Sequence, residues 1–507
     1  MSQQGPAQPG PDEAAQPPLD LEGARVVVAG LGVSGRAAAE VLAARGARVV
    51  PVDDASDEAV SSAEYLAGDG LARADLVVTS PGLAPHHPLL AAAAAQGLPV
   101  WSEVELAWRV RVPGPSGAPA PWLALTGTNG KTTTVGMLES ILAAAGRSAL
   151  AVGNVGTPIV HAATDPTLDV LAVELSSFQL HFTRSMSAQA AAVLNVAPDH
   201  LDWHGSLEAY AADKARVYEH AQLACVYNLA DPRTEQMVRD ADVVDGAVAV
   251  GFTLGTPGVG QIGLVEDVLV DRGFARLRHT HAAELGTLDD LAALAGPDGT
   301  VPPHVVADAL AAAALALAHG VEPSHVRDGL RAFAPGRHRI ETVATEVVPV
   351  GDQPVSVSYV DDSKATNAHA AAASLGAFPA ASVVWVAGGL AKGARFDDLV
   401  RTRRDRLAGV VLIGVDREPL RDALARHAPE VPVVEIVPGE TGDVMTSAVA
   451  AARTLVRPGP ATGTTVLLAP ACASMDQFAS YAARGDAFAA AARAAVGEGG
   501  ERAGGRA

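Results

Sequence analysis

The sequence predicts an α/β protein of three domains, on three observations. Apolar strand-like runs alternate with Ala/Leu-rich helical stretches along most of the 507 residues, the pattern of parallel sheets flanked by helices. A Pro/Gly-rich stretch, Val112 to Pro121, immediately precedes a new apolar strand. A second break falls at Ala334-Pro335-Gly336, after a helical stretch that ends near Phe333. The expected division is a tail over 1–20, domains over 21–112, 121–335 and 336–495, and a Gly/Arg/Glu-rich tail over 496–507.

Composition narrows the class. The chain is 49% hydrophobic with only 4% aromatic residues, enough for sizeable cores. No apolar run approaches the roughly 20 residues of a membrane helix. The first residues lack the basic, apolar and small-residue order of an export signal, so a cytoplasmic protein is expected. Cys225 and Cys472 are too few for a disulfide framework, which fits a reducing compartment. A formal charge of -20 argues against non-specific binding to nucleic acid or anionic lipid; any anionic ligand needs a local positive pocket.

The central domain carries the strongest physical signal. Trp122 to Leu125 reads as a buried strand, followed by Gly127-Thr128-Asn129-Gly130-Lys131-Thr132-Thr133 and a helix beginning near Lys131. Backbone N–H groups of such a loop and the helix N-terminus form a cradle for phosphate. Lys131 would reach the β/γ-phosphates and the Thr132 hydroxyl would ligate Mg²⁺. The match is to a variant phosphate loop, since the usual first glycine position is Leu125. Downstream, the apolar run Leu168 to Val173 ends at Glu174. An acid at the carboxyl end of a parallel strand beside a phosphate loop suits a Mg²⁺-holding role, although alone it is more often a solvated strand end.

In the N-terminal domain, the strand Arg25 to Ala29 leads into Gly30-Leu-Gly32-Val-Ser-Gly35, with Asp53 after the next strand. Taken by itself this is a Rossmann-like dinucleotide fingerprint, a weak signal when it stands alone.

These residues resemble the Mur ligase family, whose ATPase domain carries Gly-Thr-Asn-Gly-Lys-Thr-Thr and a following acidic strand end. Glu174-Leu-Ser-Ser-Phe-Gln-Leu180, Asn195-Val-Ala-Pro-Asp-His-Leu-Asp202, Asp362-Ser-Lys-Ala-Thr-Asn367 and Pro470-Ala-Cys-Ala-Ser-Met-Asp-Gln-Phe478 look like the D-glutamate-adding branch. The resemblance spans about Leu21 to Ala492. It implies a Rossmann-like N-terminal domain, a central P-loop ATPase-type domain and a Rossmann-like C-terminal domain. It also implies an ATP-dependent, amide-forming reaction in peptidoglycan precursor synthesis, and so a part in cell-wall biogenesis, cell shape and division. The carboxylate of UDP-N-acetylmuramoyl-L-alanine would attack the γ-phosphate of ATP, and the amine of D-glutamate would displace phosphate from the acyl phosphate.

Residue by residue, the resemblance gives Lys131, Glu174, His200 and Lys214 catalytic roles. Thr132 and Glu174 would hold one Mg²⁺, and His200 with Lys214, carbamylated in the family, would serve a second. A bare ammonium repels Mg²⁺, whereas a carbamate offers anionic oxygen. Gly127, Thr128, Asn129, Gly130, Lys131, Thr132, Thr133, Arg339 and Asp362 would contact ATP, Asp362 through the ribose. Val33, Ser34, Asp53 and Asn154 would meet the UDP substrate. Lys364, Thr366, Lys392, Ser474 and Tyr481 would hold D-glutamate, whose two carboxylates suit a pair of lysines. Singly, a strand-end lysine or a lone histidine is commonly a solvated or structural residue; the cluster is what raises the functional reading. Thr79-Ser-Pro-Gly82 and Ser102-Glu-Val-Glu-Leu106 also match the family. A monomer is expected.

The pattern departs at one place. The family's His-Asn and Asn on the helix that meets adenine become Val305 and Asp308 here, and a carboxylate cannot donate the amide hydrogen bond. A sibling ligase is disfavoured because the Asp-Asn-Pro-Arg element of diamino-acid addition is absent. Folate polyglutamylation would leave the N-terminal nucleotide-sugar domain unexplained. A non-catalytic nucleotide- or NAD-binding module would leave Lys131, Glu174, His200 and Lys214 together unexplained.

Overall fold

The structure, a computed structural model, describes residues 20–295, 299–334, 336–351, 353–391, 393–436, 444–457 and 463–504. Among the described residues the strands assemble into three sheets. β1 (Arg25–Ala29), β2 (Arg48–Val52), β3 (Leu76–Thr79) and β4 (Val100–Ser102) form the first, in the order β2-β1-β3-β4. All its pairings are parallel.

The central sheet contains β5 (Trp122–Thr126), β6 (Ala149–Gly153), β7 (Val170–Glu174), β8 (Ala190–Val193), β9 (Ala224–Asn228), β10 (Val248–Phe252), β11 (Gln261–Val265), β12 (Val268–Asp271) and β13 (Ala283–Thr287). Its order is β13-β12-β11-β10-β9-β8-β5-β7-β6. Pairing is parallel from β6 to β11 and antiparallel from there to β13. The third sheet, β14 (Glu341–Val350), β15 (Gln353–Asp361), β16 (Val383–Gly388), β17 (Leu407–Ile413), β18 (Val433–Glu435) and β19 (Thr464–Leu468), runs β14-β15-β19-β16-β17-β18. Only the β14·β15 hairpin in it is antiparallel.

The burial follows from the topology. A parallel strand covered on both faces has no polar side to offer, and every residue of β5 and β7 is buried. On one face of the central sheet, Leu123 and Leu125 pack with Leu138 and Ile141 of the helix Lys131–Ala144 and with the Ala-rich helix Pro303–Ala318. Gly329 lets the helix Pro323–Ala332 close in, since a Cβ there would lie 2.4 Å from the Ile141 backbone. On the other face, Trp122 and Ala124 join one apolar cluster with Val26, Val28, Trp101 and Val104, so the first two sheets share a core.

The strands expected at Arg25, Trp122 and Leu168 all form, with ends shifted by at most two residues. Glycine matters most in the first loop. Gly30 has φ +88, and a Cβ on Gly35 would sit 1.8 Å from the Gly30 carbonyl, so helix and strand meet at a distance only glycine permits.

The C-terminal end departs from expectation. The helix Tyr481–Gly504 carries the chain through residue 496, where a tail was expected to begin. Ala, Arg and Glu between the glycines favour continuing a helix already nucleated against the third sheet, where Phe488, Ala489 and Ala492 are buried. Residues 1–19, Pro335 in the expected second boundary, and Lys392 lie outside the described residues. The segment entering the third sheet is tightly wound: His338 and Ile340 have φ of 66° and 48°, uncommon for non-glycine residues and rarest for a β-branched one.

Candidate active site

The phosphate loop sits where β5 ends and the helix Lys131–Ala144 begins. Thr126 anchors its entry by donating to the Leu175 carbonyl at 2.7 Å. Asn195, just past β8, clamps the loop on both sides. It accepts from the Asn129 N–H at 2.9 Å and donates to the Asn129 carbonyl at 3.1 Å, while its own carbonyl takes the Thr128 N–H. Thr128 Oγ1 lies 3.1 Å from the Tyr210 hydroxyl. Gly130 turns the chain into the helix with φ +84.

Lys131 curls over the loop and donates to the carbonyls of Gly127 at 2.8 Å and Thr128 at 3.0 Å. Burial lowers its pKa despite the pull of Glu174 and Asp199. Lys214 reaches the same loop from the helix Leu207–Ala215, donating to the Gly127 carbonyl at 2.9 Å, with its ammonium 4.5 Å from the Tyr210 ring centroid. It is 1% exposed. Burial, reinforced by Lys131, pushes its pKa well below that of an ordinary lysine.

Glu174 closes β7 beside the loop, paired with Leu125 on one side and Gly153 on the other. Its Oε1 accepts from Asn154 Nδ2 at 2.9 Å, whereas the buried Oε2 has no hydrogen-bond partner. Asn154, expected from the resemblance to contact the substrate, lies against Glu174 here. His200 caps the short helix Leu201–His204 in a left-handed conformation, φ 52°, against the edge of Phe178.

The third sheet brings its own residues to this loop. Lys364 donates to Thr132 Oγ1 at 2.8 Å and Arg339 donates to Thr133 Oγ1 at 2.5 Å. Asn367 adds contacts to Asn129 Oδ1 at 3.3 Å and Asp199 Oδ2 at 3.1 Å. Burial, helped by Arg339, brings the Lys364 pKa down to about 7. Its ammonium also lies 5.2 Å from the ring centroid of Tyr481. Thr366 follows in the same turn, its N–H on the Lys364 carbonyl. Asp362 is buried, with its carboxylate engaged by the Ser374 hydroxyl; burial raises its pKa to about 6. Ser474 is buried in a loop that pairs with the strand end through an antiparallel bridge between Leu390 and Ala473.

In the first sheet, Val33 is 76% exposed at the mouth of the glycine loop, and Ser34 lies near the buried Glu103, whose pKa burial raises to about 6. The Asp53 carboxylate accepts from the N–H groups of Leu31 at 2.5 Å and Ala55 at 2.8 Å. Asp53 therefore shapes the glycine loop directly.

Asp308 changes meaning once the structure is seen. Its carboxyl is packed against the phosphate loop: a Cβ on Gly130 would lie 2.2 Å from its Oδ1. Burial outweighs the opposing Arg339 and raises its pKa to about 8, so at neutral pH it carries a proton. The sequence reading held that aspartate cannot donate here; a protonated carboxyl has an O–H and can. Asn195 and Asn367 stand in the quoted motifs but had no role read from sequence, and Arg484 was not singled out at all. The buried Arg484 donates to Ser363 Oγ and to the carbonyls of Ser363 and Cys472, tying the final helix to the Lys364 turn.

Comparison with known proteins agrees with this arrangement. The family model of the Mur ligase middle domain matches residues 125–255, and that of the MurD-like N-terminal domain matches residues 24–102. A Streptomyces avermitilis protein named UDP-N-acetylmuramoylalanine--D-glutamate ligase is 56% identical, covering 93% of this chain and 98% of its own. A Thermobifida fusca protein of the same name is 51% identical, covering 94% and 100%. The fold is shared with the UDP-N-acetylmuramate-alanine ligase of Thermotoga maritima, at TM-score 0.52 and 16% identity, covering 93% of this chain and 99% of that one. The Thermotoga maritima MurF ligase in complex with ADP aligns at TM-score 0.51 and 16% identity, over 95% and 99%. With relatives this close along nearly its whole length and a phosphate loop met by residues of a third sheet, the chain belongs to the Mur ligase family.

Proposed function

We propose that the chain joins D-glutamate to UDP-N-acetylmuramoyl-L-alanine at the expense of ATP, through an acyl phosphate, in the cytoplasm and as a monomer. The observation that carries this reading is the meeting of Lys364 and Arg339 with Thr132 and Thr133, beside Glu174 and Lys214. The curated relatives bear the name of that ligase, and the two near-complete alignments extend through every sheet.

The residues fit a divalent cation. Glu174 Oε2 is buried, anionic by nature and without a hydrogen-bond donor, and Thr132 supplies a hydroxyl on the same rim. We assign Thr132 and Glu174 to one Mg²⁺, and His200 with Lys214 to a second. Bound there, Mg²⁺ would neutralise charge on phosphoryl oxygens. Lys214 suits carbamylation, because burial drives its pKa down and so favours the neutral amine over the ammonium relative to an ordinary lysine. The neutral nitrogen lone pair adds to the carbon of CO₂, and the displaced proton leaves to solvent.

The chain's own residues would then act by position and charge. Lys131 and the loop N–H groups that Asn195 does not take hold the β/γ-phosphates, with Gly127, Thr128, Asn129, Gly130 and Thr133 forming the cradle. Arg339 and Asp362 fix the nucleotide from the third sheet's side. Val33, Ser34, Asp53 and Asn154 place the uridine diphosphate end. Lys364, Thr366, Ser474, Tyr481 and Lys392, the last outside the described residues, orient the dicarboxylate amine. Boundaries near residues 112–121 and 335 separate the modules that bring these groups together.

The test is phosphate release. It should require UDP-N-acetylmuramoyl-L-alanine, D-glutamate, ATP and Mg²⁺ together. Equal turnover with L-glutamate or with meso-diaminopimelate would overturn the assignment.

A further inference from the structure

His204 and Asp213 lie outside every role assigned above, yet they join the segments that carry three of the assigned residues. His204 Nε2 is 2.9 Å from the Ser177 hydroxyl, three residues beyond Glu174 in the chain. His204 Nδ1 is 3.0 Å from Asp213 Oδ2, and Asp213 immediately precedes Lys214. His204 itself is one helical turn after His200. One neutral tautomer satisfies both contacts: Nδ1–H donates to Asp213, and Nε2 accepts from Ser177.

The arrangement is buried and fully engaged. The His204 side chain is 0% exposed and that of Asp213 is 8% exposed. His181 Nδ1 meets the same carboxylate at 2.9 Å, and Arg216 approaches it at 3.4 Å. The His204 ring stacks on Phe178 at 5.6 Å and meets Tyr210 edge-on at 5.1 Å. Tyr210 in turn lies under the Lys214 ammonium and reaches Thr128 with its hydroxyl. The set resembles a serine, histidine and aspartate hydrolase in its distances, but Ser177 is only 3% exposed, so no substrate can reach it.

We propose that His204 and Asp213 are positioning residues: a buried brace that fixes Glu174, His200 and Lys214 at one mutual spacing. The inference rests on the proposed function, in which those residues hold divalent cations and Lys214 is carbamylated. A ligand set drawn from separate loops binds a cation well only when its supporting contacts hold each ligand in place. Here the support runs from Ser177 through His204 to Asp213, with Tyr210 as a second strut.

The test uses the full chain, with Mn²⁺ alone titrated and free ion followed by paramagnetic resonance, and with ¹³C-bicarbonate added to read the carbamate on Lys214. His204→Phe keeps the ring packing and removes both hydrogen bonds; Asp213→Asn keeps the volume and removes the charge. Each should weaken Mn²⁺ binding at least tenfold and reduce the carbamate signal at least fivefold, while affinity for the UDP substrate stays within twofold. Retention of Mn²⁺ affinity and carbamate within twofold in both variants would overturn the brace. If Asp213→Asn fails to fold, His204→Phe decides alone, and loss of fold in both would assign a purely structural role and overturn it too. A wild-type chain with neither signal would overturn the cation-site reading and the brace with it, a result distinct from normal wild-type signals that the variants retain.

Discussion

Lys364, on the turn after β15, donates a 2.8 Å hydrogen bond to Thr132 Oγ1 at the start of the phosphate-loop helix. The contact crosses from the third sheet to the central one. Thr132 therefore joins the loop proposed to hold nucleotide to a lysine supplied by the third sheet. With Arg339 on the neighbouring Thr133, it brings two basic side chains of the third sheet's segment to the start of the loop helix.

That placement predicts that nucleotide binding is proton-linked. Burial and Arg339 leave Lys364 with a pKa of about 7, so at pH 8 most of it is neutral in the free protein. An adjacent polyphosphate favours the charged form and raises the pKa again. ATP binding at pH 8 should therefore take up protons, up to about one from Lys364, with Lys131 shifting in the same sense. Calorimetry in buffers of different ionisation enthalpy reads this directly. Lys364→Met should reduce the uptake and, because the lysine is also assigned to the dicarboxylate amine donor, lower turnover by roughly 100-fold, the scale of one charged contact in a reacting site. Unchanged proton uptake in the variant would remove Lys364 from the nucleotide's surroundings.

Lys214 offers a chemical rescue. Lys214→Ala should lower turnover at least 1000-fold by order of magnitude, because it deletes a group assigned to the cation site. The vacated volume lies over the Tyr210 ring and beside Gly127, and a small carboxylate should enter it. Formate, acetate or bicarbonate should restore part of the activity, with saturation kinetics in the added acid. Full activity in the untreated variant would exclude the carbamate role.

The site divides into what local sequence reveals and what only folding reveals. The loop Gly127–Thr133 and the strand end at Glu174 are legible because their chemistry is contiguous with a buried strand, and both strands form where the apolar runs lie. The turn at Lys364 is legible as a motif, but its contact with Thr132 spans 232 residues and no local pattern encodes it. Arg484 illustrates the rest: within an Ala-rich helix it reads as a solvent-facing residue, yet it is 1% exposed and satisfies three acceptors in the loops around Ser363 and Cys472. Asp308 was visible as an anomaly, but its protonation depends on burial that the sequence does not display.

Glu174 should show a conflict between stability and function. Its Oε2 is buried without a hydrogen-bond partner, which costs stability until a cation arrives. Glu174→Gln removes the charge at nearly the same volume. Melting temperature without divalent ions should hold or rise by a few degrees, on the order of 1 kcal/mol, while the stabilisation conferred on wild type by Mg²⁺ and nucleotide disappears. Turnover should fall at least 100-fold by order of magnitude. A variant that loses stability without ions and keeps its Mg²⁺ response would show that Glu174 is a structural acid.

The contact between Asp308 and Gly130 sets a pH dependence whose sign is opposite to that of a salt-bridged acid. The folded carboxyl titrates at about 8, above its ordinary 3.8, so between those values the folded state binds more protons than the unfolded one. Stability from this group is fully present below pH 3.8 and is lost as pH rises through 8. Asp308→Asn removes the titration while keeping the shape, and its stability relative to wild type should increase from pH 5 to pH 9, by roughly 1 to 3 kcal/mol given the discount appropriate to one buried group. Denaturant unfolding at both pH values measures the difference. Gly130→Ala supplies the steric half: φ +84 and a Cβ 2.2 Å from Asp308 Oδ1 together should cost about 2 to 4 kcal/mol, and adding Asp308→Ala should return part of that loss. Additive effects of the two substitutions would mean that the carboxyl does not press on the loop, and the argument for its raised pKa would lose its geometric basis.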